Sequence, residues 1–345
     1  MTSHNRQWLL RRRPEGLLRQ DDLELATGDE DVRGLKDGEV RIRNLLFHSA
    51  PTMRNWMAEP SNSFSVNIPL DTPVRAFAAS RVVESRDPRY PPGARIAAMS
   101  SWSEYDIIDP ARSAAQIIPE GMTAIESVGI FGLNSMTAYF GMIDVGRPRP
   151  GETLVVSGAA GSTGSVAAQI GRIKGCRVVG IAGGKRKCAW LVDECGLDAA
   201  IDYRSEDVNA ALETHCPDGI DIFYDNVGGP ILQAAVDHMA RFGRIVLCGQ
   251  IAGYNEGAPL PAFTNMMRLI YGSIRMQGFL IVDYLDRIPK ALEELVPWIR
   301  SGAIVTRVDV RSGFENLPSS FNALFDGSNE GTLLCMIDEE ARATE

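Results

Sequence analysis

The chain has no cysteine before Cys176, and its six cysteines, Cys176, Cys188, Cys195, Cys216, Cys248 and Cys335, lack the tight spacing of a zinc or disulfide framework. Reduced thiols are the expectation. Cys188 and Cys195 fall about two turns apart on one expected helix, yet no histidine or third cysteine stands near them in sequence to complete a tetrahedral metal site. Also missing is any run near the roughly 20 apolar residues that cross a bilayer. Arg11, Arg12 and Arg13 follow only Trp8-Leu9-Leu10, without an apolar stretch of signal-peptide length, so a cytoplasmic protein without a membrane partner is expected. Basic residues are in deficit: 35 Lys and Arg face 44 Asp and Glu, a net charge of −9, which disfavours nucleic acid as a partner.

What is there is globular. At 345 residues, 45% hydrophobic and 23% charged, the chain is long enough for two domains, each with its own core. Up to about residue 118 it is proline-rich, with short alternating runs such as Glu39–Arg43 and Arg81–Glu84. Pro91-Pro92-Gly93 reads as a turn feeding a strand from Ala94, which favours a small barrel-like or sandwich-like β domain. From about 119, apolar runs alternate with segments of helical period, the pattern of a doubly wound parallel sheet in the α/β class. Strands are expected at 153–157, 176–181, 199–201, 220–225, 244–249 and 273–280. Helices are expected at 163–174, 185–195, 205–214, 229–240 and 284–301, with stops at Gly175, Gly196 and Gly302. The tail from about 304 carries two strand-like runs, Arg307–Val310 and Thr332–Ile337. It is too short for a third domain and is expected to return to the first.

Thr153–Gly164 is a buried strand running into a glycine-rich turn and then a helical pattern, the context a dinucleotide fingerprint requires. Gly161 lets the backbone approach a pyrophosphate, Gly164 allows helix to pack on strand, and the amides of the helix start favour an anion. Ala159 replaces the first glycine of the usual pattern; Ala159, Gly161, Ser162, Thr163 and Gly164 are the candidate contacts. The next strand ends without the acidic residue that would bind the ribose 2′-hydroxyl of NAD, and runs into Gly183-Gly184-Lys185-Arg186-Lys187. Three cations there favour a 2′-phosphate, hence NADPH over NADH. Tyr203, past the third strand, is a weaker candidate for the same phosphate.

Leu133–Gly141, Gly151–Ser157, Ala159–Ser165 and Asp225-Asn226-Val227-Gly228-Gly229 together resemble the medium-chain dehydrogenase/reductase superfamily. Within it the likeness is to the zinc-independent branch of prostaglandin reductases (leukotriene hydroxydehydrogenases), alkenal double-bond reductases and curcumin reductase, over essentially the whole chain. The resemblance implies a GroES-like catalytic domain, residues 1–126 completed by 304–345, and a Rossmann NADP-binding domain, 127–303, with the nicotinamide between them. By matching, Lys187 and Tyr203 resemble the family's contacts to the 2′-phosphate. Asn226, Gly278, Phe279, Leu280 and Asn329 resemble positions at the nicotinamide end, and Gly183 and Cys248 complete the cofactor set. The glycine-histidine-glutamate metal motif and cysteine lobe of zinc-dependent members are missing, so no metal is expected.

The implied reaction is reduction of the carbon–carbon double bond of an α,β-unsaturated ketone or aldehyde, with hydride added at the β-carbon and charge building on the carbonyl oxygen. A hydrogen-bond donor aimed at that oxygen lowers the barrier. Tyr254, in the loop after the fifth strand, is the candidate for this catalytic role, against the alternative that it packs the loop or touches cofactor. Family members commonly have aspartate-proline-tyrosine-methionine-arginine where this chain reads Ala50-Pro51-Thr52-Met53-Arg54, and a glycine-rich strand where it reads Ala76–Arg81. Thr52, Arg54 and Trp56 are candidate substrate contacts, with loop anchoring the competing role for Arg54. Trp56, Met57 and Trp102 are read either as an apolar pocket or as core. Two other functions stay open: an NADPH quinone reductase, and a nucleotide-binding protein without turnover. A homodimer through the Ser273–Leu280 sheet edge is expected.

Overall fold

In the computed structural model, which describes residues 4–29, 33–59, 67–255 and 264–344, the first third of the chain is mainly strand and turn. β1 (His4–Leu10) and β2 (Leu23–Asp29) form an antiparallel pair. β3 (Val40–Ser49), β4 (Arg75–Ser85), β5 (Arg95–Ser101) and β7 (Gln116–Ile117) follow as an antiparallel array, with β6 (Tyr105–Ile108) paired to β3. Gly93, at φ +90°, makes the turn that Pro91-Pro92-Gly93 suggested and feeds β5. A short helix, α1 (Met53–Trp56), follows β3. Ala76, Ala78 and Ala79 of β4 are fully buried, so the side chains added in this stretch fill core. A polar cluster crosses the sheet where the β3–β4 register shifts: Asn44 donates through Nδ2 to Ser100 Oγ at 3.0 Å and to the Ser103 carbonyl at 2.8 Å, and accepts from Ser80 Oγ at 2.6 Å. Bonding of this kind offsets the cost of burying an amide.

After α2 (Leu133–Phe140) the pattern changes to alternating strand and helix. β8 (Thr153–Ser157), β9 (Arg177–Ala182), β10 (Ala199–Asp202), β11 (Ile220–Asp225), β12 (Met239–Leu247) and β13 (Arg275–Gly278) lie parallel in the order β10-β9-β8-β11-β12-β13. Their inner members are apolar on both faces because α3 (Ser162–Ile173), α4 (Lys185–Asp193), α5 (Val208–His215), α6 (Gly229–His238), α7 (Met266–Gly272) and α8 (Ile288–Arg300) cover them. Gly175, Gly196 and Gly302 adopt φ of +85°, +68° and +77° just past α3, α4 and α8, where a Cβ would be strained.

The differences from the expected elements have local causes. Helix α6 ends at His238, and β12 begins at Met239, earlier than expected. A left-handed Phe242 (φ +64°) and a register shift absorb the extra residues. β12 stops at Leu247 because the amides of Cys248 and Gly249 turn to the Asp225 carbonyl. α4 ends at Asp193, so Cys195 lies beyond it, its amide bonded to the Trp190 carbonyl. The segment before α8 is a 3-10 turn, Ile281–Arg287. β13 itself is largely polar and exposed; the exposed apolar side chains flank it, at Ile270, Tyr271, Leu280 and Val282.

The tail supplies β14 (Val308–Ser312), α9 (Leu317–Asp326) and β15 (Thr332–Met336). β15 runs parallel to β14 and antiparallel to β3, with Leu333 opposite Ser49 and Met336 opposite Leu46. The chain divides into two compact units, Met1–Gly132 with Val308–Glu345, and Leu133–Arg307. Among the described residues no helix is long and apolar enough to cross a membrane.

Candidate nucleotide and active site

In the second unit the strand order reverses between β8 and β11, the point where open α/β sheets bind ligands beyond their carboxyl ends. Gly158 leaves β8 at φ +59°, and Gly161 enters α3 in an extended conformation without a side-chain cap. A Cβ at Gly164 would stand 2.3 Å from the Gly158 carbonyl oxygen, and one at Gly161 3.2 Å from the same atom. Gly164 is thus required by the turn folding on itself, and at Gly161 the fit is tight. Ala159 is fully buried, its methyl against Gly180 of β9, so this candidate contact is corrected: it supports the turn from below, and Gly161, Ser162 and Thr163 form the half-exposed surface.

One buried carboxylate joins the loops at the switch point. Asp225, at the end of β11, is fully buried and accepts from Ser157 Oγ at 2.7 Å and from the amides of Val227 and Gly228 at 3.0 Å. Burial raises its pKa, while these donors hold it down. Asn226 is fixed in turn: its amide donates to Ser157 Oγ at 2.8 Å and its Nδ2 to the Ser157 carbonyl at 2.7 Å. The Asp225 carbonyl accepts the amides of Cys248 and Gly249, and the Asn226 carbonyl accepts that of Ile251. The Cys248 thiol is pushed up to about 11 by burial, beside the Tyr224 hydroxyl. Tyr254 closes the 3-10 turn Ile251–Gly253; its hydroxyl oxygen accepts the Gln250 amide at 3.2 Å and rests against Gly249. Asn226, Cys248 and Tyr254 therefore belong to one tied group of loops.

A second cluster lies beyond β9 and β10. Asp202 accepts the Gly184 amide at 2.7 Å and the Arg204 amide at 3.1 Å on Oδ1, and Ser205 Oγ at 2.9 Å on Oδ2. The Gly184 bond is the main cause of its lowered pKa. Lys187 sits in the first turn of α4, its amide on the Gly184 carbonyl, and Tyr203 lies 46% exposed across Gly183. Phe279 packs over Gly141, where a Cβ would fall 2.6 Å from its ring and 2.7 Å from Tyr224. Gly278 and Leu280 on either side are exposed.

The first unit holds the other candidates. Arg54 is buried, and its guanidinium donates to the carbonyls of Pro14 at 2.5 Å and Gly16 at 3.2 Å. Its assignment as a substrate contact is corrected: it anchors the 14–16 loop. Met57 and Trp102 are fully buried core, Trp102 edge-on to Phe321 at 6.1 Å. Thr52 is exposed at the start of α1, Trp56 is half-buried, and Asn329 donates through Nδ2 to the Gly331 carbonyl at 3.1 Å. Among the described residues no group of three or more His, Cys, Asp or Glu side chains is placed to hold a metal.

A parallel sheet with a glycine turn at its switch point, in sequence with a largely antiparallel β unit, defines a two-domain dinucleotide-binding class. Residues 6–116 match the N-terminal domain of oxidoreductase, and residues 162–300 match the zinc-binding dehydrogenase domain. The chain is 36% identical to the NADP(+)-dependent 2-alkenal reductase of Nicotiana tabacum, over 97% of this chain and 98% of that protein. It is 34% identical to the NADPH-dependent curcumin reductase of Escherichia coli strain K12, over 96% and 97%. CurA from Vibrio vulnificus, crystallised with NADPH, superposes with a TM-score of 0.88 at 32% identity, covering 97% of this chain and 99% of that one. The chain belongs to the zinc-independent branch of the medium-chain dehydrogenase/reductase superfamily.

Proposed function

We propose that this NADP-dependent oxidoreductase reduces the carbon–carbon double bond of an α,β-unsaturated ketone or aldehyde, with NADPH as the reductant. The observation that carries the reading is the Tyr254 hydroxyl, held by the Gln250 amide in the loop group that also contains Asn226 and Cys248. The residues present fit the cofactor. The turn presents half-exposed Gly161, Ser162 and Thr163 at the start of α3, where free backbone amides favour a phosphate, and Gly164 lets it fold closely on Gly158. Lys187, Tyr203 and Gly183 would hold the adenosine 2′-phosphate; Asn226, Cys248, Phe279 and Leu280 would hold the nicotinamide end.

Bound NADPH supplies the hydride. Tyr254 donates a hydrogen bond to the substrate carbonyl oxygen as negative charge builds there, and Asn226, fixed at both its backbone and side-chain nitrogens, keeps the loop rigid for that contact.

NADPH absorbance followed against enones, enals and quinones, with NADH and chelator-treated protein in parallel, tests the reading. Enone-dependent oxidation of NADPH that survives chelation is expected. Tyr254→Phe is expected to lower kcat about 100-fold while the KM for NADPH stays within a few-fold; loss of NADPH affinity instead would make Tyr254 a cofactor contact. Turnover of quinones alone would move the assignment to a quinone reductase, and tight binding without turnover would end it.

The chain is also proposed to form a homodimer through the β13 edge. Among the described residues that strand has no neighbour on its outer side in the sheet, and Ile270, Tyr271, Leu280 and Val282 beside it are each more than 60% exposed. Light scattering should give twice the chain mass of 37.6 kDa; a monomer at micromolar concentration would refute it.

A further inference from the structure

Directly after Tyr203 stands a cation that sequence reasoning passed over. Asp202 takes the Gly184 and Arg204 amides on one carboxylate oxygen, which holds the turn before α4 and the turn after β10 at a fixed spacing. With the turns held so, the side chains of Tyr203 and Arg204 both lie across Gly183. A Cβ on that glycine would fall 2.9 Å from the Tyr203 hydroxyl and 3.0 Å from Arg204 Nε. Phenol and guanidinium thus flank one residue that has no side chain. Arg204 is exposed, and no salt bridge to it occurs among the described residues. Asp202, two residues before it, is already bonded to two backbone amides and the Ser205 hydroxyl, so its charge is partly satisfied by its own loops.

We propose that Arg204 is a specificity-determining residue for the cofactor, its guanidinium taking the adenosine 2′-phosphate together with the Tyr203 hydroxyl over Gly183. The inference rests on the NADPH reading and adds a residue to it. A guanidinium presents several donors in a planar fork that matches phosphate oxygens, whereas the Lys187 ammonium acts as a point charge. The two are complementary rather than redundant. Gly183 is then the clearance of the subsite: the nearest atoms a methyl there would meet are in the side chains of Tyr203 and Arg204.

Calorimetric titration of the full chain with adenosine 2′,5′-bisphosphate and with adenosine 5′-monophosphate tests this without any turnover. Arg204→Gln is expected to weaken the bisphosphate about tenfold and the monophosphate less than about twofold. Gly183→Ala is expected to give the same selective loss with an unchanged melting temperature. Full bisphosphate affinity in Arg204→Gln, with loss in Lys187→Gln, would overturn the role of Arg204 and leave the NADPH reading standing. Equal loss for both ligands would overturn it too, by assigning Arg204 to general attraction. Wild-type protein that binds the bisphosphate no better than the monophosphate would remove the NADPH reading, and this proposal with it.

Discussion

Gly164→Ala is expected to abolish measurable NADPH binding and to lower the melting temperature by several degrees. The added carbon would stand 2.3 Å from the Gly158 carbonyl oxygen, 2.9 Å from its carbonyl carbon and 3.0 Å from the Ala159 Cα. All three are backbone atoms, so no side-chain rotation relieves the overlap, and the first turn of α3 must lift away from β8. Overpacking of this sort costs about 1–3 kcal/mol, with about 2–4 °C of melting temperature lost per kcal/mol in a unit of this size. Binding suffers more, because the amides of Ser162 and Thr163 move with the helix. Gly161→Ala is the graded control, since its Cβ would meet the same oxygen at 3.2 Å. It should fold and keep part of the affinity. Fluorescence titration with NADPH beside a thermal melt separates the two effects; wild-type affinity in Gly164→Ala would refute the close-approach account.

Acid should destabilise the chain through His48. This β3 residue is 3% exposed, and burial lowers its pKa to about 4. Above about pH 6.5 the imidazole is neutral in both folded and unfolded chains and no proton is exchanged on unfolding. Below that value the unfolded chain binds a proton that the folded chain excludes, so stability falls until the folded imidazole also titrates near pH 4. The loss over this window is about 3 kcal/mol. Asp106 and Asp225, raised by burial, act with the opposite sign, since their folded forms take up protons before their unfolded forms. The informative quantity is therefore the difference between wild type and His48→Gln in denaturation midpoint from pH 7 to pH 4.5. Parallel curves would show that His48 is protonated or solvated in the fold.

The parallel sheet was legible because its strands are apolar on both faces and its helices end at glycines; β8, β11 and the stops at Gly175, Gly196 and Gly302 follow from residue type alone. The end of β12 was not legible, since it is set by the Asp225 carbonyl capturing two amides from a distant stretch. Hydrogen bonds of that range leave no periodic trace. The same limit applied in the site. Glycines and cations declare themselves, but Ala159 reads as a turn contact although its methyl lies against Gly180 of β9, and nothing local chooses between substrate contact and loop anchor for Arg54, whose guanidinium the Pro14 and Gly16 carbonyls take. Arg204 was missed for the converse reason. Nothing local distinguishes a surface arginine from one turned back across a glycine.

The placement of β15 between β14 and β3 sets an order of events during synthesis. The Leu133–Arg307 unit is contiguous and can close its sheet as soon as its own residues leave the ribosome. The first unit cannot, because β3 waits for a partner strand encoded nearly three hundred residues later. Until then the Leu46–Ser49 stretch of its edge, beyond the part that β6 covers, is open, and it is apolar: Leu46 and Phe47 are fully buried in the finished fold. A nascent chain stalled before Thr332 would therefore present a folded nucleotide unit joined to an unfinished sheet, and that sheet is where chaperones or aggregation would act first.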